Sequence, residues 1–171
     1  PASSPWLVSM DEHGLGERLV KALAAVTTRL ITVKKGDYEA LSRELQTTGT
    51  FPGKIVHLWN ITGNKNSGAG ALTLESLEEA QETGFHDVLR LARDIGRLNP
   101  DQTLSLDIIT DNMHEVVGGE GHCPQKALVL GPVKVIPREY PNIRCRSIDI
   151  DSTVPVEQLV RELTAESPGA E

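Results

Sequence analysis

ALVLGPVKVIPREYPNIRCRSIDID, residues 127 to 151, decides the fold of this chain. Its first part has the apolar density of a buried helix. Pro132 and Pro137 each lack an N–H and crowd the preceding turn, so a kink or an early end near Ile136 is expected. Tyr140, Pro141 and Asn142 then turn the chain into IRCRSIDID, which reads as a strand. In it Ile143, Cys145, Ser147 and Asp149 alternate with Arg144, Arg146, Ile148 and Ile150. That mixed pattern predicts a strand less completely buried than the third strand of the chain, at 54–60. A helix returning the chain to a strand is half of a βαβ unit, and the preceding residues repeat the theme.

WLVSM at 6–10 is a short strand, and LGERLVKALAAV after it has apolar residues at Leu15, Leu19, Leu23, Val20 and Val26, a helical spacing. RLITV at 29–33 is the second strand, followed by a helix over 38–46 for which Asp37 is a plausible cap. KIVHLWN at 54–60 is the third strand, and ITGNKNSGAGALT after it is a surface loop. The longest helical signal covers 72–99, with Phe85, Val88, Leu89, Leu91, Ala92 and Ile95 on its apolar stripe and Gly84 as a divider. TLSLDIIT at 103–110 is the fourth strand, and VEQLVRELTAE after Pro155 gives a last amphipathic helix. Strands alternating with helices predict an α/β, three-layer fold of truncated Rossmann-like type, with a mostly parallel sheet of about five strands and right-handed crossovers.

The chain has 171 residues, a natural size for one domain that needs no disulfide or metal. Net charge is −7, which argues against a nucleic-acid partner, because affinity for the phosphate backbone comes from Lys and Arg. No apolar run approaches the roughly 20 residues of a membrane span, and PASSPWLVSM lacks the charged and apolar regions of a signal peptide. Two cysteines without a CxxC exclude a disulfide framework or a four-thiolate zinc site, and fit reduced thiols in a cytoplasm. Residues 1–5 and 167–171 are polar and rich in small residues, and read as linkers flanking a domain over 6–166.

Candidate sites follow from the layout. The loop MDEHGLGER lies where a dinucleotide fold holds pyrophosphate on a helix N-terminus. Gly14 and Gly16 give a GxG spacing with no third glycine, and Asp11 and Glu12 put two carboxylates at the mouth, where they would repel phosphate. A tight strand-to-helix turn is the plainer reading. Lys34 and Lys35 stand where a cation would meet the 2′-phosphate of NADPH, or are simply solvated. His57 has no metal-ligating companion and reads as a packed histidine; Glu75, Glu78, Glu79 and Glu82 form a solvated face, with His86 at the surface. Asp107, inside the fourth strand, must lie near an edge or be hydrogen-bonded.

A short-chain reductase places its serine at the end of this strand and a Tyr-x-x-x-Lys on the next helix. Here Thr110 and Asp111 end the strand, and neither Tyr38 nor Tyr140 begins that motif. His122 and Lys126 have the four-residue interval; the plainer reading is a helix start beside a loop that contacts a neighbouring subdomain. No catalytic, cofactor-binding or metal-binding residue is therefore assigned.

IVHLWN at 55–60, VVGGEG at 116–121 and the 127–151 segment, with the GLGERL and FHDVLRLAR helices, resemble the amino-terminal half of ketoreductase domains in modular type I polyketide synthases. The resemblance covers nearly the whole chain. It implies a structural subdomain that braces a catalytic half. In that family the second half holds NADPH on a glycine-rich loop and reduces a β-ketoacyl group carried on an acyl carrier protein. None of its motifs occurs in these residues, so the resemblance implies no cofactor here, NADPH in the downstream half, and as partners that half, neighbouring synthase domains and, through the parent, the carrier protein. Two rivals stand beside it: a pseudo-ketoreductase scaffold bracing a methyltransferase or dehydratase, and a free-standing nucleotide-dependent α/β enzyme using the 10–18 loop and the His122/Lys126 pair.

Overall fold

The computed structural model of the chain describes residues 4–27, 29–37, 43, 45–47, 49–63, 73–98, 101–114, 123–151 and 153–165. Strands β1 (Trp6–Ser9), β2 (Leu30–Val33), β3 (Lys54–Asn60), β4 (Leu104–Asp111) and β5 (Ile143–Ile150) form one sheet in the order β2-β1-β3-β4-β5. Every pairing is parallel. Among the described residues the helices are α1 (Leu15–Leu23), α2 (Leu74–Gln81), α3 (Asp87–Leu98), α4 (Leu130–Glu139) and α5 (Val156–Thr164). This is the expected three-layer α/β fold of truncated Rossmann-like type.

The order reverses direction between β1 and β3, and with crossovers of one hand such a reversal sends successive helices to opposite faces of the sheet. One face packs Leu15, Leu19 and Leu23 of α1 and Leu159 and Leu163 of α5 over Val8, Val56, Leu58 and Ile109. The other packs Val88, Leu91, Ala92 and Ile95 of α3 and Ile136 of α4 over Leu7, Ile55, Trp59, Leu106 and Ile108. β3 and β4, central and covered twice, are buried almost throughout, polar residues such as His57 and Asp107 included. β5 lies at the edge and is mostly half-buried, as its mixed pattern predicts. Val26, expected on the α1 stripe, lies beyond the helix end and is exposed, because the helix stops at Leu23.

Three local features differ from the sequence reading. Gly84 does not divide the long helix: α2 and α3 are joined by a π-helical turn, Glu82–His86, that keeps the backbone helical while one turn widens. A Cβ on Gly84 would stand 3.0 Å from the Asn60 Oδ1, so the glycine serves close approach to β3. His86, expected at the surface, is half-buried, its ring edge-on to Phe85. The 127–139 segment begins as a 3-10 helix, Pro124–Val129, and α4 then runs through Pro137 to Glu139 instead of ending near Ile136. Pro132 falls in the first turn of α4, where its missing N–H has no intrahelical acceptor to lose. Beyond Pro137 the Tyr140 N–H donates to the Ile136 carbonyl at 2.8 Å, so the ladder resumes. The helix expected over 38–46 lies mostly outside the described residues, as do residues 64–72 of the glycine-rich loop and residues 1–3 and 167–171 of the expected linkers. Pro5 is buried, and its carbonyl accepts from the Gly53 N–H at 3.0 Å.

Asp107 is fully buried in the middle of β4, between two cations. Its Oδ1 accepts from Arg146 Nε of β5 at 2.6 Å, and Lys54 Nζ of β3 lies 3.1 Å from Oδ2. The same cations reach the end of α5: Arg146 donates to the Glu162 carbonyl at 3.0 Å and pairs with its carboxylate at 3.1 Å, and Lys54 donates to the Leu163 carbonyl. Lys54 also sits 4.9 Å over the Trp6 ring of β1. Cations at a helix C-terminus satisfy carbonyls that have no intrahelical donor and oppose the helix dipole. Asp107 is therefore not at an edge but hydrogen-bonded, the second of the two alternatives read from the sequence.

Two predictions arise from this packing. A Cβ at Gly96 of α3 would fall 2.5 Å from Cδ1 of Tyr140 at the end of α4, and the atoms it meets belong to a half-buried ring. Gly96→Val is expected to lower stability by about 2 kcal/mol or more, read from urea unfolding. His57 is fully buried, 5.3 Å from the Trp59 ring, and burial lowers its pKa from 6.5 to about 3. Between those values the unfolded chain holds a proton that the folded chain does not, so this contribution is complete above about pH 6.5 and shrinks as pH falls towards 3. His57→Phe should flatten the stability profile between pH 7 and 4.5, by at most about 1.4 kcal/mol per pH unit. Parallel profiles for the two proteins would contradict this.

Candidate functional site

In a doubly wound sheet the ligand position is the crevice beyond the strand C-termini where the order reverses, here between β1 and β3. A cleft of about 50 Å3 lies there, lined by residues including Met10, Asp11, His13, Lys35, Trp59 and Thr62. That is room for a water or two, against several hundred Å3 for a typical ligand pocket. Lys35 reaches Glu79 of α2 at 3.6 Å across it.

The N-terminus of α1 faces this cleft. Gly14 takes a left-handed φ of 84° as the N-cap and offers no side chain to the first turn. Asp11 supplies one from the loop. Its Oδ2 accepts from the His13 N–H at 2.8 Å and the Leu15 N–H at 3.2 Å, and its Oδ1 from the Gly16 N–H at 2.5 Å. A Cβ on Gly16 would lie 3.1 Å from that Oδ1 and from the Met10 Sδ. The second glycine thus permits the close approach of Asp11 itself. The sequence reading treated Asp11 as a repulsive group at the mouth; the structure turns it inward, as the acceptor for N–H groups that a helix end leaves unsatisfied.

Beyond the ends of β3 and β4 lies a second polar cluster. Lys126, on the 3-10 helix, is 5% exposed, and its Nζ donates to the Thr62 Oγ1 and the Asp111 carbonyl, both at 2.8 Å, and to the Asp111 carboxylate. The Asp111 carboxylate also accepts from the Thr62 N–H at 3.0 Å. Beside it, the Asp149 carboxylate of β5 accepts from the Thr110 hydroxyl at 2.9 Å, the Met113 N–H at 3.1 Å and the His114 N–H at 2.8 Å. His122, the other member of the interval read from the sequence, lies outside the described residues, as does the 116–121 run. The role of Asp111 as partner to Lys126 was missed. The signal for it was a carboxylate closing a buried strand, which needs a cation as much as Asp107 does.

The remaining candidates fall elsewhere. Cys123 is buried and Cys145 half-buried, both as free thiols. Burial, and then the Asp107 charge, push the Cys145 thiol up to about 12, leaving it protonated at neutral pH and a poor nucleophile. Glu75, Glu78, Glu79 and Glu82 are exposed, as read. Among the described residues no group of three or more His, Cys, Asp or Glu side chains is placed to hold a metal, and no helix is long and apolar enough to cross a membrane.

Removing one partner of a buried ion pair leaves the other uncompensated. Lys126→Met is therefore expected to cost about 3–5 kcal/mol in chemical denaturation, and adding Asp111→Asn to it should restore part of the loss. A single variant as stable as the parent chain would show the pair to be without structural weight.

Residues 27–166 match the family described as Beta-ketoacyl synthase-like, N-terminal. No curated protein matches the chain. Among solved structures, the chain is similar to a keto acid-selecting NRPS module described by its adenylation, ketoreductase and pseudo Asub domains. The identity is 22% and the TM-score 0.75, over 90% of this chain and 14% of that one. It is also similar to an oxidoreductase of the short chain dehydrogenase/reductase family from Brucella ovis, in complex with a partially ordered NAD. There the identity is 14% and the TM-score 0.70, over 95% of this chain and 94% of that one. A third is FolM alternative dihydrofolate reductase 1 from Brucella canis, complexed with NADP, at 16% identity and TM-score 0.59, over 95% of this chain and 80% of that one. At such identities the structures share a fold. The chain spans about one seventh of the NRPS module it matches. With the match extending over most of its length, the chain belongs to the Beta-ketoacyl synthase-like, N-terminal family.

Proposed function

We propose that this chain is the non-catalytic structural half of a megasynthase ketoreductase. In this reading it braces a catalytic half that carries out NADPH-dependent reduction of a β-ketoacyl group held on an acyl carrier protein. The observation that carries the reading is the Asp11 carboxylate seated on the His13, Leu15 and Gly16 N–H groups. A dinucleotide pyrophosphate needs those donors, and a carboxylate already on them both consumes the hydrogen bonds and repels the incoming charge. The residues present therefore do not fit a dinucleotide. The buried Asp111–Lys126 pair supports the same view, because a lysine with three acceptors inside the protein is not available to tune a phenol.

Bracing needs a surface. The exposed large apolar side chains among the described residues are Val26, Leu74 and Val135, and they lie on different helices or beyond them. The contact with a catalytic half is accordingly polar, as contacts between domains of one chain commonly are.

The test has two arms. In fluorescence titration the chain alone should give no saturable NADPH signal up to about a hundred micromolar, whereas a free-standing dehydrogenase would saturate within its usual micromolar range. Co-expressed with the segment that follows it in its polypeptide, the chain should gain several degrees in thermal midpoint by mass action. Saturable NADPH binding by the chain alone, or no gain on pairing, would overturn the brace.

A further inference from the structure

We propose that the outer face of the α3–α4 pair is a docking surface for an acidic protein surface, a site independent of whether the chain braces a ketoreductase. Two glycine contacts fix how these helices lie. Gly131, near the start of α4, meets Phe85 just before α3, and Gly96, near the end of α3, meets Tyr140 just after α4. The helices therefore run parallel, and Arg93 of α3 lies level with Arg138 of α4. On α3 the buried stripe is Val88, Leu91, Ala92 and Ile95. Arg90, Arg93 and Arg97 recur at intervals of three and four on the side turned away from it. On α4, Pro132 and Ile136 are buried, and Lys134 and Arg138, four residues apart, face outward. Five exposed cations thus share one two-helix face of a chain whose net charge is −7.

Their pairing is uneven. Arg90 is held by Glu82 at 2.7 Å and Asp87 at 3.3 Å, and Arg93 by Asp94 at 3.0 Å. Arg97, Lys134 and Arg138 form no ion pair among the described residues. Unpaired cations on neighbouring helices repel one another, and opposing carboxylates would relieve that repulsion. Arginine predominates on the face, and its planar fork takes carboxylates two bonds at a time. A nucleic acid is disfavoured because the chain carries a net charge of −7 and the acidic helix α2, with Glu75, Glu78 and Glu79 exposed, leads directly into α3, which together repel a phosphate backbone. A membrane is disfavoured because Val135 is the large exposed apolar residue the face offers for insertion.

The test uses the full chain and fluorescein-labelled poly-L-glutamate, read by anisotropy at about 0.1 M salt. There the screening length is about 10 Å, and charges elsewhere on the protein count little. Arg97→Glu, Lys134→Glu and Arg138→Glu are combined in one variant. Its control combines Arg18→Glu, Lys21→Glu and Arg161→Glu on the exposed sides of α1 and α5, which changes net charge equally. The first triple should weaken binding about tenfold relative to the control. Arg138→Gln alone should weaken it about twofold to threefold with an unchanged thermal midpoint, which keeps the result readable if the triple does not fold. Absence of binding by the parent chain overturns the proposal, as does equal weakening in the two triples. Tighter binding to a DNA duplex or to vesicles of anionic phospholipid than to poly-L-glutamate also overturns it.

Discussion

A carboxylate buried in the middle of a parallel sheet is the constraint around which this domain closes. Asp107 sits on the fourth strand from one edge and the second from the other, where no water can solvate it, so the fold must bring cations to it. Lys54 comes from the strand on one side and Arg146 from the strand on the other, which fixes the register of β3, β4 and β5 by charge as well as by backbone pairing. Both cations then have donors to spare, and the end of α5 supplies the carbonyls. Sheet register and the seating of the last helix are consequently one condition. Apolar packing alone tolerates small slides; a three-strand ion cluster with a helix end attached does not.

The opposite ends of the strands repeat the theme with different residues. Asp11 satisfies the start of α1, Asp111 and Lys126 close the ends of β3 and β4 under the 3-10 helix, and Asp149 gathers two N–H groups and a hydroxyl after β4. In a cofactor-binding relative of this fold, this is where polar groups would be left open for a ligand. Here each carboxylate is met by donors from the chain itself. The architecture remains that of a binding fold, while its polar groups are turned to holding the loops.

How much of this could be read from the sequence depends on the range of the interaction. β3 was legible to its bounds because a doubly covered strand needs an apolar centre, which Ile55, Val56, Leu58 and Trp59 supply, and α5 because its stripe is undisturbed. The unequal burial of β5 followed from its alternation. The behaviour of α4 did not: whether a proline breaks a helix depends on where the first turn falls, and a 3-10 lead-in moved that turn to Leu130. The π-helical turn was invisible because it answers the approach of Gly84 to Asn60, residues 24 apart in sequence. At the candidate site the spacing of Gly14 and Gly16 and the presence of Asp11 were plain, but the direction of the carboxylate was not. Outward it repels, inward it caps, and only the path of the loop decides. Asp111 and Lys126 were both noted, yet as occupants of separate positions, since the pairing arises from the return of the chain after β4.

Lys54 carries a mechanical consequence. Its ammonium lies over the ring of the first residue of β1 and bonds the carbonyl of Leu163, one residue before the end of α5. The first strand and the last helix therefore meet over the start of the middle strand. A pull that separates the first strand from the last helix therefore loads this one side chain and the three contacts its ammonium makes, to the Trp6 ring, the Leu163 carbonyl and the Asp107 carboxylate.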